Sequence, residues 1–126
     1  MQGQLVEALK VHNKALRYRR RTLGNGHEDV AESIRHVALI HMMQEQFHEA
    51  LVLLKEAHRI VRGAFGNDHV SVAGTCFSMA QCKLQLGDLA GALAGFRKSH
   101  RIFSQHGAVH AEDAQKAAEF VQRLEA

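Results

Sequence analysis

The feature that most constrains this chain is a phrase that comes round twice. Gly24-Asn25-Gly26-His27-Glu28-Asp29-Val30-Ala31 returns as Gly66-Asn67-Asp68-His69-Val70-Ser71-Val72-Ala73, an offset of 42 residues. At the same offset Ala38 falls on Ala80, Phe47 on Leu89, Ala50-Leu51 on Ala92-Leu93, Leu54 on Phe96, and His58-Arg59-Ile60 on His100-Arg101-Ile102. Backwards, it brings Ala50-Leu51 onto Ala8-Leu9 and Ala57 onto Ala15; forwards, Gly66, His69 and Ala73 return after 41 residues as Gly107, His110 and Ala114. Self-similarity on this scale marks a supersecondary unit that cannot bury its apolar face alone and gains a core by stacking.

Each unit divides into two helical stretches. The first carries Ala31, Ile34, Ala38 and His41, repeated as Ala73, Cys76, Ala80 and Lys83; the second carries Phe47, Ala50, Leu51, Leu54, Ala57 and Val61. Spacings of i, i+3, i+4 and i+7 give one buried stripe per helix. The chain has no Pro, so nothing stronger than Gly interrupts these runs, and no segment alternates with the period of a strand. The expectation is all-α, with helices at about 2–22, 28–43, 47–63, 70–86, 89–105 and 110–125. Gly87 is the expected left-handed stop and Asp88 the next N-cap, with Asn25, Asn67 or Asp68 capping after the Gly-Asn linkers. Residues 1–23 then form a C-terminal half-repeat helix, 24–65 and 66–106 two repeats, and 107–126 a capping helix within a single domain.

These residues resemble the tetratricopeptide repeat family. Ala80, Gly87, Leu89, Ala92, Phe96 and Ser99 stand at the spacing of its small, turn and aromatic positions, as do Ala38, Phe47, Ala50, Leu54 and Ala57. The linker Leu23-Gly24-x-x-His27-x-x-Val30-Ala31 and its copy Phe65-Gly66-x-x-His69-x-x-Val72-Ala73 are similar to the long kinesin-light-chain subtype. The resemblance implies a right-handed α-solenoid of stacked antiparallel helix hairpins that binds other proteins. It departs from the subtype at Glu28 and Val70, where Pro is usual, and at Arg35-His36 and Phe77-Ser78, where paired Asn residues are common. Only Arg35 fits the carboxylate clamp of chaperone-binding relatives, so chaperone-tail binding is not expected.

Carried over residue by residue, the family's concave groove falls on Glu32, Arg35, His36, Leu39, Met42 and Met43 of one helix. Phe77, Ser78, Gln81, Leu84 and Gln85 follow from the next, and Glu119 and Gln122 from the last. Leu39, Met42, Met43 and Phe77 then make an apolar floor suited to an amphipathic helix or an extended peptide; the competing reading packs Met42, Phe77 or Leu84 between helices. The implied function is a protein-binding adaptor, in a motor or cytoskeletal assembly by resemblance. A second reading is a structural subunit that self-associates through open solenoid ends, since Leu5, Leu9 and Leu16 of the first helix lack a covering helix on one side.

Charge adds a third. The net charge is +3, yet residues 1–23 hold six basic side chains against one acid, and the remaining residues sum to −2. The basicity centres on Arg17, Arg19, Arg20 and Arg21, a candidate surface for RNA or another acidic partner. Against nucleic acid, cations in a last helical turn complement the helix dipole, and Tyr18 aligns with Ile60 and Ile102 as a core position, not a base-stacking one.

Ten His residues raise the question of a metal, but their recurrence at repeat positions reads as structural, and no pair has clear ligand spacing. Cys76 and Cys82, six apart on one helix, face different ways and are expected to be reduced thiols. There is no phosphate loop, nucleophile elbow or His-Glu-x-x-His motif, so no catalysis, cofactor or metal is expected. With no signal segment and no apolar span, the expected location is cytoplasmic, with cytoskeletal association implied by the resemblance.

Overall fold

A computed structural model describes residues 2–126. Six α-helices follow in order: α1 Gln2–Leu23, α2 Glu28–Met43, α3 Phe47–Phe65, α4 Val70–Gln85, α5 Leu89–Gln105 and α6 Ala111–Glu125, the last preceded by a 3-10 turn, Ala108–His110. The expected helices are all present, with ends within about two residues. The chain divides into two compact units, Met1–Ala64 and Phe65–Ala126.

In the first unit α1 lies antiparallel to α2. The Arg19 guanidinium, near the end of α1, donates to the Asp29 carbonyl (2.9 Å) and the Ser33 hydroxyl (3.1 Å) near the start of α2. The His12 and His36 rings meet farther along, with centroids 5.1 Å apart. Val30, Ala31, Ile34, Val37 and Ala38 are buried along α2, and Ala50, Leu54, Ala57, Ile60 and Val61 along α3. Both sets follow the helical period.

In the second unit α4 and α5 form an antiparallel hairpin that small residues draw close. Ser99 donates its hydroxyl to the Ala73 carbonyl (3.1 Å) at the open end. Near the turn Gly95 sits so close to α4 that an added Cβ would lie 2.9 Å from the Ala80 Cβ. Helix α6 packs antiparallel on α5: the Phe96 and Phe120 rings stack at 4.4 Å, and both meet the Phe77 edge, at 5.3 and 5.6 Å. Cys76 and Cys82 are buried thiols in α4.

Helices α2 and α4 end identically. Gln46 N–H donates to the His41 carbonyl and Glu45 N–H to that of Met42; Asp88 N–H and Gly87 N–H do the same to Lys83 and Leu84. This Schellman turn requires a left-handed residue after the cap. Gly87 supplies it (φ 86°), as expected, and Glu45 supplies it in the first unit (φ 61°).

The linker caps differ from expectation. Helices α2 and α4 are capped by His27 and His69, whose Nδ1 atoms accept from the backbone N–H of Asp29 and Ser71, each at 3.0 Å. An Nδ1 that accepts leaves the proton on Nε2. Asn25 accepts instead from Arg20 (3.3 Å), tying its linker to the preceding α1, and Asp68 accepts from Arg101 (3.1 Å), tying its linker forward to α5. Asp88 caps α5 as expected, accepting from Gly91 N–H at 2.9 Å.

Tyr18 is a further correction. Ile60 and Ile102 are buried, but Tyr18 is 65% exposed. Repeat alignment gives a side chain's direction; burial also needs an element lying over it.

Candidate partner-binding surface

Helix α2 is buried along one face and open along the other. Glu32, Arg35, His36, Leu39, Met42 and Met43 lie three and four apart, a single stripe along the helix. Glu32, Arg35, Leu39 and Met43 are exposed, with Leu39 at 36% and Met43 at 66%, while His36 and Met42 are half-buried. The stripe is polar at its N-terminal end, where Arg19 of α1 reaches Glu32 at 3.6 Å, and apolar at its C-terminal end. His36, set against His12, has its pKa lowered by burial first and then by the neighbouring charges of His12 and Arg35. Both effects favour the neutral imidazole, which suits it to an apolar contact or a single hydrogen bond.

The corresponding stripe of α4 is largely closed. Ser78 is buried at 6% exposure, which removes it from any contact surface. Phe77 and Leu84 are half-buried and pack against the cluster formed by Ala80, Ala92 and Phe96, because Phe120 of α6 brings its ring to Phe77. Gln81 is half-buried and Gln85 exposed. On α6, Glu119 and Gln122 are both exposed. The expected apolar floor is therefore reduced to Leu39, Met42 and Met43.

The arginine run does not form a continuous cationic patch. Arg20 makes a two-pronged ion pair with Glu56 of α3, at 2.8 and 3.0 Å. Its hydrogen bonds hold the Glu56 carboxyl below the usual range, against the opposing effect of burial. With Arg19 engaged by Asp29, Ser33 and Glu32, Arg17 and Arg21 are the exposed arginines of the run. Among the described residues no three metal-ligating side chains converge, and no helix is long and apolar enough to cross a membrane. Burial pushes the Cys82 thiol up in pKa, away from the reactive thiolate.

The sequence reading missed His12, which shapes the surroundings of His36, and the capping role of the linker histidines. Their recurrence at the repeat offset was the available signal.

A tetratricopeptide repeat model matches residues 29–105, and a second one matches residues 1–29.

The chain belongs to the tetratricopeptide repeat family.

No curated protein sequence matches it significantly. Among solved structures, it is similar to a Podosopora anserina protein designated a kinesin light chain with nearly identical tetratricopeptide-like repeats. The TM-score is 0.86 at 18% identity over 98% of this chain and 58% of that one. A substituted form of the same protein superposes with a TM-score of 0.86 at 19% identity, over 98% and 58% of the two chains. BtubC (BKLC) from P. vanneervenii follows, with a TM-score of 0.73 at 20% identity over 98% of this chain and 56% of that one. At such identities the likeness establishes the shared tetratricopeptide α-solenoid fold. This tetratricopeptide chain spans under three fifths of these structures' length.

Proposed function

We propose that this tetratricopeptide module is a protein-interaction adaptor that takes an amphipathic or extended partner segment along the open stripe of α2. The supporting observation is the pairing of Leu39 and Met43, one turn apart and both exposed, on a helix whose other face is buried. Arg35 and Glu32 stand beside them at the polar end. Half-buried Met42 lies beside Leu39 and Met43, so the three make one apolar strip and not isolated surface side chains. Flexible Met side chains suit a contact that must fit an incoming segment. The resemblance to kinesin-light-chain structures favours a partner in a motor or cytoskeletal assembly, and with it a cytoplasmic, cytoskeleton-associated site of action.

The test compares the wild-type chain with a Leu39→Glu, Met43→Glu variant, both exposed positions, after circular dichroism has established equal helicity. The reading expects a set of proteins retained by the wild type and lost by the variant. Capture of the same set by both would overturn it.

A further inference from the structure

We propose that the α1 face carrying Ala8, Val11, Ala15 and Tyr18 is a docking seam for helix α6 of a second copy of this chain, so that copies associate head to tail. The four residues are spaced three and four apart on one stripe. Val11 is 64% exposed and Tyr18 65%, while Ala15 is exposed and Ala8 half-buried. One and two repeats later, the residues matching Ala8, Ala15 and Tyr18 are Ala50, Ala57 and Ile60, then Ala92, Ser99 and Ile102, all of them buried.

The second unit shows what kind of element covers this stripe. On α5 it is covered by α4, the first helix of the same hairpin, through Ser99 on Ala73 and Gly95 against Ala80. Helix α6 is the first helix of the next repeat in sequence: Ala73 and Ala80 correspond to Ala114 and Val121 at the 41-residue offset. Ala114 is buried and Val121 packs on the Ala80, Ala92 and Phe96 cluster of its own unit, which leaves Ala111, exposed, and Ala118, half-buried, as the open positions of this row. Small side chains at these two positions, set against Ala8 and Ala15, allow a close helix approach.

Charge favours the same pairing. Arg17 and Arg21 are the exposed arginines at the end of α1, and the exposed Glu112 and Asp113 open α6. Antiparallel docking, as in the α4–α5 hairpin, sets Glu112 and Asp113 at the start of α6 beside Arg17 and Arg21 at the end of α1. Because the two surfaces differ, the contact is heterologous: each copy in a pair keeps one unused surface, and association continues past the dimer.

Sedimentation velocity over a concentration series tests this on the 126-residue chain. The wild type should form species larger than dimers that shrink at high salt. Val11→Glu with Tyr18→Glu should weaken association by more than about tenfold, as should Ala111→Arg with Ala118→Arg; Ala111→Arg alone serves if the double variant unfolds. Each variant keeps one intact surface, so a mixture of the two should form a 1:1 pair that grows no further. A wild type that stays monomeric across the concentration series overturns the proposal. So does an α6 variant that dimerises alone, which would mean α1 meets α1.

Discussion

Glu45 holds the left-handed backbone position that Gly87 fills one repeat later, with φ of 61° against 86°. Both terminate a helix through the same pair of backbone hydrogen bonds, but only Gly reaches that region without crowding its Cβ. Glu45→Gly should therefore stabilise the chain by about 1 kcal/mol, and Gly87→Ala should destabilise it by about as much. Urea unfolding measures both, and a Glu45→Gly variant less stable than the wild type would show that the Glu side chain outweighs the strain.

Two glycines of the second unit should respond oppositely to the same substitution. A Cβ at Gly95 would meet the Ala80 Cβ at 2.9 Å and the Cys76 carbonyl oxygen at 3.2 Å, whereas one at Gly74 meets nothing within 4 Å. Gly74→Ala should gain about 0.5–1 kcal/mol from helix propensity. Gly95→Ala should lose about 1–3 kcal/mol as α4 and α5 are forced apart. Thermal melts of the two variants check this, and equal shifts would contradict the close approach.

The histidine caps predict a chemical order of substitutions. His69 accepts from Ser71 N–H through Nδ1 and stacks on Phe65, with ring centroids 4.2 Å apart. His69→Ala should cost about 1 kcal/mol, and His69→Asn should recover most of it, since its side-chain oxygen can accept the same N–H. If Asn is no better than Ala, the ring stacking rather than the cap fixes this linker.

The Arg20–Glu56 pair gives the molecule an acid-sensitive contact. Because Glu56 has a lowered pKa in the folded state, its contribution is present above the ordinary carboxylate range and is lost as pH falls through the folded value. Both side chains are under a third exposed, so Glu56→Gln should cost about 1–2 kcal/mol at neutral pH. The gap from wild type should close in acid. Denaturant titrations at neutral and acidic pH test the sign; a gap that widens in acid contradicts it.

Much of the fold was legible because the repeat carries its own periodicity. The stripes of α2 and α3 and the stop at Gly87 follow from residues close together in sequence. The failures share a different cause. Arg20 and Glu56 are 36 residues apart, so no local pattern announces their pairing, and an isolated arginine run looks free when half of it is engaged. Phe77 and Ser78 occupy the positions that Arg35 and His36 hold one repeat earlier, yet α6 and α5 close around Phe77 while the α2 stripe stays open. Tyr18 shows the same point in reverse: its register is that of a core residue, and its exposure depends on what lies over α1. The caps were missed because Asn and Asp are the commoner N-caps, while His can serve through one ring nitrogen only when the proton sits on the other.

The Phe77, Phe96 and Phe120 rings draw α4, α5 and α6 to one point. A terminal helix held by backbone bonds alone would fray, exchanging its amide hydrogens long before its neighbours. Here α6 cannot leave without baring two rings on the hairpin beneath it, so its departure and the loosening of that hairpin become one event. The second unit should therefore exchange hydrogens as a single cooperative block, with the amides around Phe120 protected nearly as long as those around Phe96.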